Sequence, residues 1–195
     1  MANKDNILVD INKRLIYLSD DIEVNTISHV NFYLLSLLAE DDKQEEEKRD
    51  YERKPIHIFI NSCGGEVWDM WSLIDIMITT RTPIYTYCTG YALSAAFNIF
   101  LAGNKRFIFP HTTLLYHQMS RWDFNKYQDL VELRPELDKM QKDIEQYVAA
   151  RTSITLKELE DNRIHKKDWY IHNNEALQLG IATNIISSYR IVDSF

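Results

Sequence analysis

Thr82-Pro-Ile-Tyr-Thr-Tyr-Cys-Thr-Gly-Tyr-Ala-Leu-Ser-Ala-Ala-Phe-Asn-Ile-Phe-Leu-Ala-Gly103 is the stretch on which the reading of this chain turns. The β-branched and aromatic residues after Pro83 mark a strand, Gly90 a tight turn, and the run from Ala95 a helix. Ser94 then falls in the first turn of that helix. Unpaired backbone N–H groups and the positive end of the macrodipole favour an anion there. A serine so placed is ordinarily an N-cap. It can also be a nucleophile whose developing oxyanion is held by backbone donors. On this segment alone the cap is the stronger reading. A base, an orienting acid and a second oxyanion donor must come from elsewhere.

Outward from this stretch the pattern alternates. Lys54–Asn61 places Ile56, Ile58 and Ile60 on one face of a buried strand, which ends at Ser62-Cys-Gly64-Gly65. His57 within it reads as a packed or edge residue. A helix follows over Glu66–Thr79, carrying Val67, Met70, Trp71, Ile74 and Ile78. Arg106–Phe109 and Thr113–Tyr116 are short strands separated by Pro110-His111. Trp122–Ile154 is a long helical segment that Pro135 starts or kinks. Leu156–Asn162 and Asn174–Gly180 read as shorter helices and Ile181–Ile186 as a strand. Nearer the start, Arg14–Leu18 reads as a strand and Ile22–Leu38 has a near-helical period. Asp41–Arg53 is a charge run without an apolar face, expected to be a solvated helix end or an exposed insertion. Strands alternating with helices imply an α/β fold with a parallel, helix-covered sheet.

Composition narrows the function. A chain of 195 residues holds one substantial core, and 45% apolar with 26% charged residues is ordinary globular composition. A net charge of −7, with no basic patch, opposes nucleic-acid binding. Cys63 and Cys88 form no metal-ligand cluster and suit a reducing compartment. No apolar run reaches the length of a membrane span, and the first residues lack a secretory signal. The expectation is a soluble, cytoplasmic protein with no cofactor and no metal.

Three features bear on chemistry. Gly64-Gly65, between a strand and a helix, lets backbone N–H groups approach a ligand closely. It lacks the spacing of a phosphate loop. His117, at the end of the apolar strand Leu114-Leu-Tyr116, can take a serine proton and return it to a leaving amine. Asp168, in Lys166-Lys-Asp-Trp-Tyr170, can orient an imidazole. Each alone has an ordinary structural explanation: a turn, a packed histidine, a cap.

Taken together they form a recognisable order. The motifs are Ile60-Asn-Ser-Cys-Gly-Gly65; Gly90-Tyr-Ala-Leu-Ser-Ala-Ala-Phe97 with Leu101-Ala-Gly-Asn-Lys-Arg-Phe107; Tyr116-His-Gln118; and Lys167-Asp-Trp-Tyr170 with Glu175-Ala-Leu-Gln-Leu-Gly-Ile-Ala182. Between about Lys13 and Ile186 the chain resembles the proteolytic subunits of the Clp protease. The resemblance implies a ClpP/crotonase-like α/β fold of repeated β-β-α type units with a protruding handle helix. It implies one domain over 1–195, with a head of 12–121 and 155–188, a handle of 122–154 and a charged insertion at 41–53. It places Ser94 as nucleophile, His117 as general base and Asp168 as orienting acid, with the backbone N–H groups of Gly65 and Ala95 as oxyanion hole. Peptide or unfolded-protein substrates, paired with the strand after His117, and a homo-oligomer of one or two heptameric rings are further implications.

Several residues depart from the family pattern. Little chain precedes Asn12 to supply axial loops, which weighs against an ATP-dependent unfoldase as partner. Ser120–Asn125 lacks the glycines of the family's handle strand. Lys166-Lys167 stands where an Asp–Arg pair usually bridges rings, and like charges cannot form that bridge. Cys63 replaces a proline and reads as a tolerated small residue, not a second nucleophile. The leading expectation is a serine endopeptidase. The alternative is a weak or non-enzymatic ring subunit that partners an active paralogue. An acyl-CoA enzyme of the crotonase type ranks last, because the chain carries no adenine-binding signature.

Overall fold

The computed structural model describes residues 7–120 and 126–187. Its element order is β1 (Ile7–Asp10), β2 (Leu15–Leu18), α1 (Val24–Glu47), β3 (Ile56–Ser62), α2 (Val67–Thr79), β4 (Ile84–Leu93), α3 (Ala95–Leu101), β5 (Lys105–Ile108), β6 (Thr113–Tyr116), α4 (Tyr127–Arg151), α5 (Leu156–Ile164), β7 (Trp169–His172), α6 (Asn173–Gln178) and β8 (Asn184–Ile185). Eight strands share one mixed sheet in the order β1-β2-β3-β4-β5-β8, with β6 paired to β4 and β7 to β6. The β1–β2 and β6–β7 pairs are antiparallel and the rest parallel. The expected β3–α2–β4 and β4–α3–β5 units form as parallel neighbours.

Alternation along the strands builds the core. Ile16, Leu18, Ile58, Ile60, Cys88 and Ile108 are fully buried among Ile27, Val30 and Leu34 of α1 and Met70, Leu73 and Ile74 of α2. A row of rings runs across neighbouring strands: Phe59 stacks on Tyr87 at 4.4 Å and Tyr87 on Phe107 at 4.7 Å. His57 is packed as expected, with Nδ1 2.8 Å from the Tyr87 hydroxyl.

The path of β4 positions the site. Gly90 does not turn the chain; it lies inside a strand that runs unbroken from Ile84 to Leu93. The strand instead changes partners, pairing Tyr85–Cys88 with β5 and Tyr91–Leu93 with β6. On its other side the β3 register shifts between Ile60 and Ser62, and Asn61 Oδ1 accepts the Tyr91 N–H at 3.2 Å. A strand rich in β-branched and aromatic residues overrides the local turn signal of one glycine. β4 thereby delivers Ser94 beside β6, whose end carries His117.

Two further readings are sharpened. The charge run is in large part the solvated end of α1, which continues to Glu47 with Asp42, Lys43 and residues 45–50 exposed, but its first residue, Asp41, is wholly buried. Its carboxylate accepts from Arg14 at 3.0 and 2.7 Å, from the Tyr51 hydroxyl at 2.6 Å and from the Thr82 hydroxyl at 2.6 Å. Beyond it, Arg53 bridges Asp42 and Glu45. The segment after Asp168, which did not read as a strand, is β7. In the long helical segment α4 begins at Tyr127 and contains Pro135; the start expected at Trp122, like most of the Ser120–Asn125 stretch, lies outside the described residues. No helix among the described residues is long and apolar enough to cross a membrane.

Candidate active site

Ser94 stands between β4 and α3 with φ 55° and ψ −121°. A positive φ at a residue with a Cβ costs on the order of 1–3 kcal/mol, and such strain concentrates at functional sites. The expected cap is absent: the Ser94 side chain makes no capping hydrogen bond. Backbone bonds fix the turn instead. Ser94 N–H donates to Leu115 O at 3.0 Å, and Ser94 O accepts from Phe97 N at 3.0 Å. The result is a sharp strand-to-helix turn that presents the hydroxyl, the device of nucleophile elbows in hydrolases.

The Gly64-Gly65 loop faces this turn. Gly64 has φ 101°, and a Cβ built on it lies 2.8 Å from Ser94 Cβ and 2.6 Å from Leu93 O, so only glycine fits. Gly65 has φ 151°, and its Cβ would run into the Ile22 carbonyl. Ile22 clamps the loop from the far side: its N–H donates to Gly64 O at 2.8 Å and its carbonyl accepts from Glu66 N at 2.7 Å. Among the described residues the N–H groups of Gly65 and Ala95 have no hydrogen-bond acceptor. Both residues border one small cavity of about 50 Å³ together with Ser94 and His117.

His117 follows β6 directly and is half-buried. The β6–β7 ladder pairs Tyr116 with Trp169, so one step further its antiparallel register sets His117 opposite Asp168. Asp168 is exposed. Among the described residues no hydrogen bond joins Ser94 to His117 or His117 to Asp168. The fold thus gathers Ser94, His117, Gly65 and Ala95 around one cavity, with Asp168 alongside, unbonded. Cys63, next to the loop, donates its thiol to Asp21 Oδ1 at 2.9 Å. That bond, then burial, pushes the thiol above its ordinary range, which keeps it protonated near neutral pH.

Beside the cavity opens a groove of about 840 Å³, between Gly65–Trp68 and Gln118–Ser120 and floored by Leu137, Met140 and Gln141 of α4. The strand expected after His117 does not form among the described residues, since β6 ends at Tyr116, although Gln118–Ser120 line the groove; the polar side chains beneath it were not singled out at all. Gln141, Glu145 and Arg163 form a chain of hydrogen bonds there. The available signal was a Gln-x-x-x-Glu spacing on one face of a helix.

A mixed sheet whose central strand ends in a strained serine against a double-glycine loop defines an α/β protein of the ClpP/crotonase-like class. The chain belongs to the Clp protease family, whose sequence model, described as Clp protease, matches residues 3–189. It is 29% identical over 180 residues to ATP-dependent Clp protease proteolytic subunit 4 of Rhodococcus jostii (strain RHA1), covering 91% of this chain and 87% of that protein. It is 28% identical over 175 residues to proteolytic subunit 1 of Shouchella clausii (strain KSM-K16), covering 89% and 84%. Among solved structures, a ClpP1 point mutant from Listeria monocytogenes superposes with a TM-score of 0.77 at 25% identity, covering 92% of this chain and 94% of that one. These likenesses support a peptidase.

Proposed function

We propose that this chain is a serine endopeptidase that hydrolyses peptides or unfolded polypeptides within a homo-oligomeric ring chamber. The observation that carries the reading is the strained Ser94 turn, which shares one cavity with His117 and with the N–H groups of Gly65 and Ala95, which have no acceptor among the described residues. In the proposed reaction Ser94 Oγ attacks the scissile carbonyl while His117 takes its proton. The carbonyl oxygen, now negative, is held by the N–H groups of Gly65 and Ala95. His117 then passes the proton to the leaving amine, and water hydrolyses the acyl-enzyme by the same steps. Asp168 orients His117 and offsets the charge it gains. Among the described residues no hydrogen bond joins the three side chains, and the proposed reaction requires those contacts to form in the substrate complex.

The groove between Gly65–Trp68 and Gln118–Ser120 supports an extended peptide laid along the segment after His117, where main-chain pairing gives affinity and pockets give preference. The relatives named above are called ATP-dependent, which supports an unfoldase partner for folded substrates. Short peptides need none, so they are the substrates of choice for the test. Fluorophosphonate is expected to label Ser94 in the assembled protein, and Ser94→Ala to lower kcat on the order of 10⁴-fold or more with little change in stability. Absence of labelling, or turnover that survives Ser94→Ala, rejects the reading.

A further inference from the structure

The Met119 amide, two residues beyond His117 on the edge of the groove, is already taken: it donates to Gln141 Oε1 at 2.8 Å. In an extended chain successive residues point their N–H and C=O groups to opposite sides. Gln118 and Ser120, on either side of Met119, line the groove, and among the described residues their backbone N–H groups have no hydrogen-bond acceptor. Gln141 therefore stands where a neighbouring strand would stand, and it fixes which groups the edge offers to a peptide.

A glutamine amide fits such a place either way round, and its oxygen has to be the end that faces Met119. Glu145 decides this. Its carboxylate only accepts, so the Gln141 NH2 turns to it at 3.0 Å and the oxygen turns away to Met119. Glu145 is 7% exposed and would be costly as an unpaired charge; Arg163 of α5 donates to it at 2.7 Å. Glu160 completes the pairing on the exposed side of Arg163.

We propose that Gln141, held in one orientation by the Glu145–Arg163 pair, is a positioning residue that sets the peptide-binding edge at Gln118–Ser120. The proposal rests on the peptidase reading above. Gln141 acts through the Met119 backbone and contributes no group to bond cleavage, so its signature is in KM.

The test uses the full chain with a short fluorogenic peptide, fluorophosphonate labelling and amide exchange at Met119. Gln141→Leu keeps the volume and removes the bond; KM is expected to rise about three- to tenfold, the size of one lost hydrogen bond, with kcat little changed. Labelling of Ser94 by the small probe is expected at the wild-type rate, and Met119 exchange to accelerate. Glu145→Leu removes the acceptor that orients the Gln141 amide and is expected to raise KM and speed Met119 exchange in the same way, whereas wild-type KM in a folded Glu145→Leu protein would show that Glu145 does not set that orientation. A folded Gln141→Leu protein with wild-type KM and labelled Ser94 overturns the proposal and leaves the peptidase reading standing. If wild-type Ser94 is never labelled, the peptidase reading fails, and Met119 exchange decides: unchanged protection in Gln141→Leu overturns the positioning role, and faster exchange sustains it for this edge.

Discussion

At Ser94 the chain accepts strain that a cap would not need. A serine that merely capped α3 would sit in extended backbone and turn its hydroxyl to the N2 or N3 amide. Here φ is 55° and no such bond forms. The cost is sustained by neighbours: Leu115 O holds the Ser94 N–H, and Gly64 packs against the Ser94 side chain where any larger residue would collide. Gly64→Ala tests this dependence. The new Cβ must displace Ser94 or the Leu93 carbonyl, and it must adopt φ 101°. A displacement near 1 Å at the reacting group lowers kcat/KM by about 100-fold, while overpacking costs about 1–3 kcal/mol. The expected result is a folded, more easily denatured protein with peptide turnover reduced at least that far. Wild-type turnover in Gly64→Ala would show that the loop does not set the Ser94 geometry.

Among the elements, α1 shows how a charged segment can be structural. The Asp41 carboxylate joins the β1–β2 turn at Arg14, the chain after α1 at Tyr51 and the approach to β4 at Thr82. Burial raises its pKa, but the hydrogen bonds from Thr82, Tyr51 and Arg14 outweigh that and hold it below the ordinary 3.8. Because the folded value lies below the unfolded one, the unfolded chain takes up the proton first as pH falls. The contribution is therefore complete well above pH 3.8 and is lost as pH drops through the depressed folded value. Asp41→Ala is expected to cost about 3–5 kcal/mol in urea unfolding at neutral pH, since it strands the half-buried Arg14. The penalty shrinks in acid; an equal penalty at both pH values would contradict the linkage. The same cluster explains why Asp41 departs from the solvated helix end that the sequence predicts for its run. The alternating Ile56-His-Ile-Phe-Ile60 and the Val67, Met70, Ile74 spacing made β3 and α2 legible, because period reports burial directly. Asp41 is buried through three partners distant in sequence, and no period encodes that. β7 was hidden for a similar reason: four residues become a strand only through their antiparallel match to β6. The candidates Ser94, His117, Asp168, Gly65 and Ala95 could be proposed as a set from the order of their motifs along the chain, and all but Asp168 border one cavity. Gln141 and Glu145 were not, because a polar pair on a helix usually faces water.

For the whole molecule the decisive feature is what the chain leaves uncovered. On α1, Phe32 and Leu35 are exposed one helical turn apart; on α4, Tyr127, Leu130 and Val131 line another outward stripe. Exposed apolar stripes on two separate helices are surfaces that the proposed ring assembly would cover. Under that proposal further copies of the same chain are the expected occupants, since homo-oligomers close by symmetry. The groove and cavity lie against α4 through Met140, Gln141 and Ile144, so a contact that orders α4 also braces the peptide-binding edge. Assembly and turnover should therefore travel together. Peptidase activity measured across a size-exclusion profile is expected to follow an oligomer peak and to be weak or absent at the monomer position. Leu130→Glu with Val131→Glu places two like charges in the α4 stripe, away from the Ser94 cavity and the groove. This pair is expected to shift the protein toward smaller species and to lower activity in proportion, without loss of helical signal. A fully active monomer, or an oligomer indifferent to charges on α4, would separate catalysis from assembly and confine the Ser94 chemistry to the single chain.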